Sequence, residues 1–217
     1  LRIHDKNGNF ISPAEAIPIL EESGLIIPVG KWIIQNAFSM CTECRKYYPE
    51  FRVSINLSYV QILKSPLMME LKQMIECSGI SCSGIIVELT ESGYLEGTPA
   101  VRSVWNDMKQ LRIQIALDDF GTGYSNLMNI SNLEPDIVKL DRGFTLKALS
   151  RSYEYQLMQY VIEMVHKLNQ YVCVEGVETK EDLEKIKALG PDLIQGYYYS
   201  KPCSRDEFLK KFFGHSE

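Results

Sequence analysis

The chain has 217 residues, of which 45% are hydrophobic and 24% are charged, and its 23 basic and 28 acidic side chains give a formal net charge of −5. These proportions are typical of a globular protein and exclude a collagen-like, coiled-coil or disordered chain. An acidic chain is also a poor candidate for binding duplex DNA, which requires a basic surface. No stretch approaches the ~18 uninterrupted apolar residues of a membrane-spanning helix. We therefore expect a cytoplasmic domain with no DNA partner and no membrane span of its own, whether or not its parent protein is tethered to a membrane.

Helix signals and short apolar segments alternate along the chain. Ser12-Pro13-Ala14-Glu15 predicts a helix start, because Ser caps an N-terminus and Pro fits the first turn. A second helix is expected over about residues 30–47, and further helix starts are expected at Ser65, Thr98, Thr179 and Ser204. Apolar segments predict β-strands at residues 51–58, 84–92, 113–121, 137–141, 171–178 and 193–200. This alternation of strands and helices predicts a parallel sheet with right-handed crossovers.

Two parallel architectures compete at this point, an open doubly wound sheet and a closed (β/α)₈ barrel. Each apolar segment carries a polar residue at or near its end, namely Asn56, Glu88, Asp118 with Asp119, Lys139, Glu175 and Gln195. A closed barrel would bring these residues to one mouth, whereas an open sheet with strands ~4.8 Å apart would spread them over roughly 24 Å. We therefore favour an α/β barrel forming one domain over residues 1–217. Because only six strands are visible, we expect its N-terminal strands to be missing from this sequence.

The polar strand ends predict a metal site. Oxygen donors without histidine or cysteine favour hard cations such as Mg²⁺ or Mn²⁺. The adjacent carboxylates of Asp118 and Asp119 would repel each other unless a cation lay beside them. Two metals ~3.5–4 Å apart could clamp a phosphoryl group and generate hydroxide, with Lys139 orienting that hydroxide or neutralising charge. Each residue alone also has an ordinary structural interpretation, as a turn residue, a helix cap or the solvent face of a strand, and only their common placement favours chemistry.

These segments resemble the motif set of EAL domains, which are bacterial phosphodiesterases for cyclic di-GMP. The motifs are Asn56-Leu57-Ser58, Glu88-Leu89-Thr90-Glu91, Asp118-Asp119-Phe120-Gly121-Thr122-Gly123-Tyr124-Ser125, Lys139-Leu140-Asp141-Arg142, Glu175-Gly176-Val177-Glu178 and Gln195-Gly196-Tyr197. The resemblance runs from residue 1 to about Phe208. It implies a modified (β/α)₈ barrel of the EAL type with one antiparallel strand, in agreement with the strand-end pattern.

The resemblance also implies roles for individual residues. The implied metal ligands are Asn56, Glu88, Asp118, Asp119 and Glu175, in a site for two Mg²⁺ or Mn²⁺ ions at which Ca²⁺ would inhibit. The implied catalytic residues are Lys139, which contacts the attacking water, Glu175 in the same cluster, and Glu91, which holds the loop at residues 119–125. The residues implied to face the substrate are Arg2, Gln61, Gln195 and Glu178.

The activity implied by the resemblance is hydrolysis of cyclic di-GMP to linear 5′-pGpG. A homodimer, and sensory or GGDEF-type domains upstream in the parent protein, are implied as well. Two alternatives from other classes are a non-hydrolytic cyclic di-GMP receptor and, less favoured, a purely structural interaction domain. One departure concerns the Glu-Ala-Leu tripeptide, whose Glu is a metal ligand in the family: it would lie immediately before Leu1-Arg2. We therefore expect the chain alone to be a poor catalyst.

Overall fold

The computed structural model describes residues 2–90, 98–122, 130 and 133–214. The chain divides into two compact units, one formed by residues 1–87 and 97–113 and the other by residues 88–96 and 114–217. Within the described residues, no helix is long and apolar enough to cross a membrane.

The first unit is mostly helical. Its elements are β1 (Ile3–His4), β2 (Phe10–Ile11), α1 (Pro13–Glu22), α2 (Ile26–Cys44), β3 (Val53–Asn56), α3 (Tyr59–Lys64), α4 (Leu67–Ser78), a 3₁₀ turn (Cys82–Gly84), the first half of β4 (Ile85–Thr90) and α5 (Pro99–Gln110). Strands β1 and β2 pair antiparallel, and β3 neighbours β4. The β1–β2 hairpin occupies a segment that the sequence pattern indicates as loop, because two-residue strands are too short to show a hydrophobic alternation.

Side-chain caps start two of these helices where the sequence predicts. Ser12 accepts a hydrogen bond from the Ala14 amide, and Thr98 accepts one from the Val101 amide. Helix α2 begins four residues before the predicted position, directly after Gly24 ends α1 with a φ of +74°. Helix α4 begins after Pro66 without any side-chain cap, so the Ser65 prediction is one residue early.

The second unit contains the remaining strands and helices. They are the second half of β4, β5 (Gln114–Phe120), β6 (Ile137–Leu140), α6 (Arg142–Ser150), α7 (Ser152–Lys167), β7 (Tyr171–Val174), α8 (Lys180–Lys187), β8 (Leu193–Ile194) and α9 (Arg205–Phe213). The strand order follows the chain from β4 to β8. The pairs β5–β6, β6–β7 and β7–β8 are parallel, as the alternation of strands and helices predicts. Thr179 and Ser204 cap α8 and α9 with capping boxes, which confirms both predicted starts.

Apolar side chains fill the strands of this unit almost without interruption. Ile115, Leu117, Val138, Leu140 and Val172 are each 0% exposed. Strands covered on both faces read as continuous apolar runs, which is the pattern that parallel sheets show. The polar residues within or directly after these strands therefore require a separate explanation.

Candidate active site

Four ionisable residues, within or directly after four neighbouring strands, form a single cluster. Glu88 lies in β4, Asp118 in β5 and Lys139 in β6, while Glu175 follows β7 directly. The Glu175 amide donates a hydrogen bond to the Leu140 carbonyl at 3.1 Å, which extends the β6–β7 ladder by one residue. Because β5, β6 and β7 are parallel neighbours, the ends of these strands lie at one edge of the sheet, although the β5–β6 register shifts between Leu117 and Phe120.

The centre of the cluster is the ammonium group of Lys139. Its Nζ lies 2.9 Å from Glu88 Oε2, 3.0 Å from Asp118 Oδ1 and 2.7 Å from Glu175 Oε1. The Lys139 side chain is only 6% exposed, and its three partners are 8%, 12% and 17% exposed. One buried positive charge therefore faces three negative charges at hydrogen-bonding distance.

The electrostatics of the cluster follow from this imbalance. Burial alone would lower the pKa of Lys139, but the carboxylates of Glu88, Asp118 and Glu175 raise it well above its ordinary value. Burial raises the pKa of Glu175, and the neighbouring Lys139 offsets only part of that shift. Lys139 therefore stays protonated, and its single positive charge does not balance the negative charges of the three carboxylates around it.

Asp119 lies near the end of β5, where the register with β6 is irregular between Leu117 and Phe120. Its φ is +61°, a left-handed conformation that non-glycine residues rarely adopt, and its amide donates to Asp118 Oδ1 at 3.0 Å. Partial burial, followed by the charges of Asp118 and Asp141, raises the pKa of the Asp119 carboxyl. The two adjacent carboxylates are therefore held in a strained and electrostatically unfavourable arrangement, as is common at functional sites.

The donors of this cluster fit a hard divalent cation by their chemistry. Glu88, Asp118 and Glu175 present carboxylate oxygens around one point, and Asp119 adds a further carboxylate beside Asp118. Across the described part of the chain, no three His, Cys, Asp or Glu side chains are arranged to hold a metal ion by themselves. In this structure the carboxylates of Glu88, Asp118 and Glu175 surround the ammonium of Lys139 instead. Their oxygens lie at hydrogen-bonding distance from its nitrogen, which is longer than a metal–oxygen bond of about 2.0–2.2 Å.

Three predicted site residues belong to the first unit. Asn56 is the last residue of β3. Gln61 is buried in α3, where its Oε1 accepts a hydrogen bond from the Ser58 amide at 3.1 Å and completes a capping box. The Arg2 guanidinium lies 5.9 Å from the centre of the Phe10 ring. Gln61 thus has a local structural role, which the Ser-x-x-Gln spacing of a capping box could have indicated.

The other predicted substrate residues lie in the second unit, after β7 and β8. The Gln195 backbone amide donates to the Val174 carbonyl at 2.9 Å, and the Gln195 backbone carbonyl accepts from the Val177 amide at 3.2 Å. Glu178 forms an ion pair with Arg142, with Nη2 and Oε1 2.8 Å apart. Sequence reasoning quoted Arg142 within a motif but gave it no role, because no motif spacing signals a contact between the start of a helix and a residue 36 positions later. Glu91 and residues 123–125 of the loop after β5 lie outside the described residues.

Comparisons with known proteins identify the family. The sequence model of the EAL domain matches residues 1–202. The cyclic di-GMP phosphodiesterase PdeF of Escherichia coli K12 is 31% identical over 202 residues, which are 93% of this chain and 27% of that protein. The chain spans only about a quarter to a third of the length of its curated relatives.

Solved structures show the same fold. The EAL enzyme Bd1971, in its form bound to cAMP and cyclic di-GMP, matches with a TM-score of 0.90 at 29% identity, over 97% of this chain and 58% of that one. The PaMucR phosphodiesterase in complex with cyclic di-GMP matches with a TM-score of 0.88 at 26% identity, over 96% and 85% of the two chains. The predicted α/β fold, a modified (β/α)₈ barrel of the EAL type, is confirmed by this likeness, and with the match over residues 1–202 it follows that the chain belongs to the EAL domain family.

Proposed function

We propose that this chain hydrolyses one phosphodiester bond of cyclic di-GMP and releases linear 5′-pGpG. The observation that carries the proposal is the buried cluster in which Glu88, Asp118 and Glu175 surround Lys139. Uncompensated buried carboxylates destabilise a fold, so a cluster with three of them around one lysine favours a functional role over a structural one. The phosphodiesterase named among its relatives supports the choice of substrate.

The residues of the second unit proposed to hold Mg²⁺ or Mn²⁺ are Glu88, Asp118, Asp119 and Glu175. Asn56 is added to this set by the family resemblance alone. When bound, such ions would polarise the phosphoryl oxygens and favour ionisation of the attacking water. A larger ion such as Ca²⁺ accepts looser geometry and should support substrate binding better than turnover.

The chain's own side chains supply the remaining chemistry of the proposal. The Lys139 ammonium stays charged among its carboxylates and can orient the attacking water or balance charge on the phosphoryl group. Burial raises the pKa of Glu175, which makes its carboxylate a better acceptor for a proton from water. Asp119, with a φ of +61°, follows Asp118 directly in β5 and is proposed to add a further carboxylate to the site.

We also propose that the domain acts in the cytoplasm as a homodimer within a longer protein that carries sensory or GGDEF-type domains. The greater length of its curated relatives supports the presence of other domains. The implied homodimer is testable by sedimentation of the purified chain at several concentrations.

The experiment that tests the activity is a turnover assay. The chain, alone and preceded by the tripeptide Glu-Ala-Leu, is incubated with cyclic di-GMP and Mg²⁺ or Mn²⁺, and pGpG is measured by chromatography. We expect turnover in at least the extended form, and its near abolition by Asp118→Asn, with substrate binding in Ca²⁺ retained. Binding of cyclic di-GMP by both forms without any pGpG would instead identify a non-hydrolytic receptor.

A further inference from the structure

We infer that Arg142 and Glu178 act together as a positioning pair, which holds the segment carrying Glu175 in place beside Lys139. Arg142 is the first residue of α6, directly after β6, and Glu178 closes the segment that follows β7. Two guanidinium nitrogens converge on one carboxylate oxygen, with Nη2 at 2.8 Å and Nε at 3.3 Å from Glu178 Oε1. The catalytic consequence of this inference rests on the proposed function.

The arginine contacts the segment at a second point. Gly176 follows Glu175 with a φ of +79°, and a side chain there would place its Cβ 2.9 Å from Arg142 Cβ and 3.1 Å from Arg142 Cα. Only glycine fits so closely and adopts this φ without strain. The aliphatic part of Arg142 therefore covers Gly176 while its guanidinium binds Glu178, so the two contacts lie on either side of Val177.

The opposite side of the same segment packs against the residues that follow β8. The Val177 amide donates to the Gln195 carbonyl at 3.2 Å, and the Val177 carbonyl accepts from the Tyr198 amide at 3.0 Å. A Cβ on Gly196 would lie only 2.7 Å from the Val177 carbonyl carbon. Segment 175–178 is thus held between two others. On the β6 side the Glu175 amide binds the Leu140 carbonyl at its start, and Arg142 binds Glu178 at its end.

The energetic contribution of this ion pair to the whole fold is small. The Arg142 and Glu178 side chains are 58% and 39% exposed, and solvent screens exposed ion pairs so that they contribute little to global stability. Loss of the pair should therefore leave global unfolding almost unchanged. It should instead increase local opening at the end of segment 175–178, because the pair attaches Glu178, three residues beyond the hydrogen bond from the Glu175 amide to the Leu140 carbonyl. Glu175 would then spend less time at its position beside Lys139.

The test compares Arg142→Met, Glu178→Gln and the double variant in the chain preceded by Glu-Ala-Leu. Methionine keeps an unbranched apolar stem over Gly176 but lacks the guanidinium. We expect amide exchange of Val177 to accelerate about tenfold, and kcat to fall by a similar factor with KM unchanged, because displaced supporting residues typically cost ~10–100-fold. Since the two residues act as one unit, the double variant should be no worse than either single variant. Arg151→Met, which breaks the exposed Arg151–Glu154 pair, serves as the matched control and should change neither quantity.

Three outcomes would overturn the inference. The first is unchanged exchange of the Val177 amide in both single variants. The second is a raised KM in Glu178→Gln with no effect of Arg142→Met, which would show that Glu178 contacts the substrate itself. The third is a loss of global stability that accounts for the whole fall in kcat. If the wild-type chain lacks turnover altogether, the proposed function fails, whereas the exchange measurement still decides whether the pair positions the segment.

Discussion

Lys139 Nζ lies 2.7 Å from Glu175 Oε1, although the β6–β7 register pairs Lys139 with Cys173. Residues 173 and 175 point to the same face because side chains alternate along a strand. The lysine therefore leans along the sheet toward its carboxyl edge and reaches the carboxylate that follows β7. Cys173 is left directly beside the lysine stem, where burial raises the pKa of its thiol to about 12.

Removal of the central ammonium should destabilise the protein. In Lys139→Met, three buried carboxylates lose their counter-ion, and breaking a buried ion pair in this way typically costs about 3–5 kcal/mol. We expect a loss of this size in the free energy of unfolding, measured by urea denaturation at pH 7 in EDTA. Lys185→Met, which breaks the exposed pair with Glu181, is the control and should leave the free energy of unfolding almost unchanged. Equal stability of the two variants would show that the cluster does not depend on its lysine.

Replacement of Asp119 should have the opposite effect. Its folded pKa is raised above the ordinary value of 3.8, so the folded state binds the proton more tightly than the unfolded state does. Ionised Asp119 therefore destabilises the fold at neutral pH, and this destabilisation disappears as the pH falls through the folded pKa toward 3.8. We expect Asp119→Asn to raise the melting temperature modestly at pH 7 in EDTA, and the gain to vanish near pH 4. Asparagine tolerates a positive φ, so the backbone conformation at residue 119 should be retained.

The pH dependence of the melting temperature of Asp119→Asn distinguishes a charge effect of Asp119 from a change in packing. A gain in melting temperature that persists unchanged at pH 4 would show that the charge of Asp119 is not its cause. Asp118→Asn is the informative comparison, because Asp118 accepts from Lys139 and its loss removes a favourable partner. We expect that variant to be less stable than the wild type at pH 7.

The strand-end pattern predicts the cluster for a physical reason. Parallel strands in register end at one edge, so polar residues that interrupt apolar strands at Glu88, Asp118 and Lys139 are brought together by backbone geometry alone. The Arg142–Glu178 pair could not be predicted in this way, because it depends on the reach of two long side chains, one at the start of α6 and one after β7. The first-unit residues show another limit: the polar group of Gln61 is used locally, by the Ser58 amide.

The cysteines should differ sharply in reactivity. Cys41, Cys44 and Cys173 are buried, whereas Cys77 and Cys203 are exposed. Burial raises the pKa of Cys41 and Cys173, so little thiolate forms there at pH 8. We expect iodoacetamide at pH 8 to modify the two exposed cysteines at least about tenfold faster than the three buried ones, as followed by mass spectrometry of peptides. Cys41 and Cys44 are separated by two residues, a spacing that also occurs in redox-active pairs. Rapid modification of both in the folded chain, or a disulfide between them, would favour a redox function for this pair.

The close packing after β8 gives the last prediction. A Cβ on Gly196 would lie 2.5 Å from the Val177 nitrogen and 2.7 Å from its carbonyl carbon, and these backbone atoms cannot move aside as a flexible side chain could. Gly196→Ala should therefore push the segment after β7 away and destabilise the protein by about 1–3 kcal/mol, the usual cost of overpacking. Gly190→Ala is the matched control, because Gly190 has a φ of +74° but a Cβ added there would meet no atom within 4 Å. That control should lose only ~1–2 kcal/mol from backbone strain, with no effect on amide exchange at Val177. In Gly196→Ala, by contrast, the hydrogen bond from Val177 to Gln195 should open and exchange there should accelerate; unaltered exchange would show that the two loops are not held together by this contact.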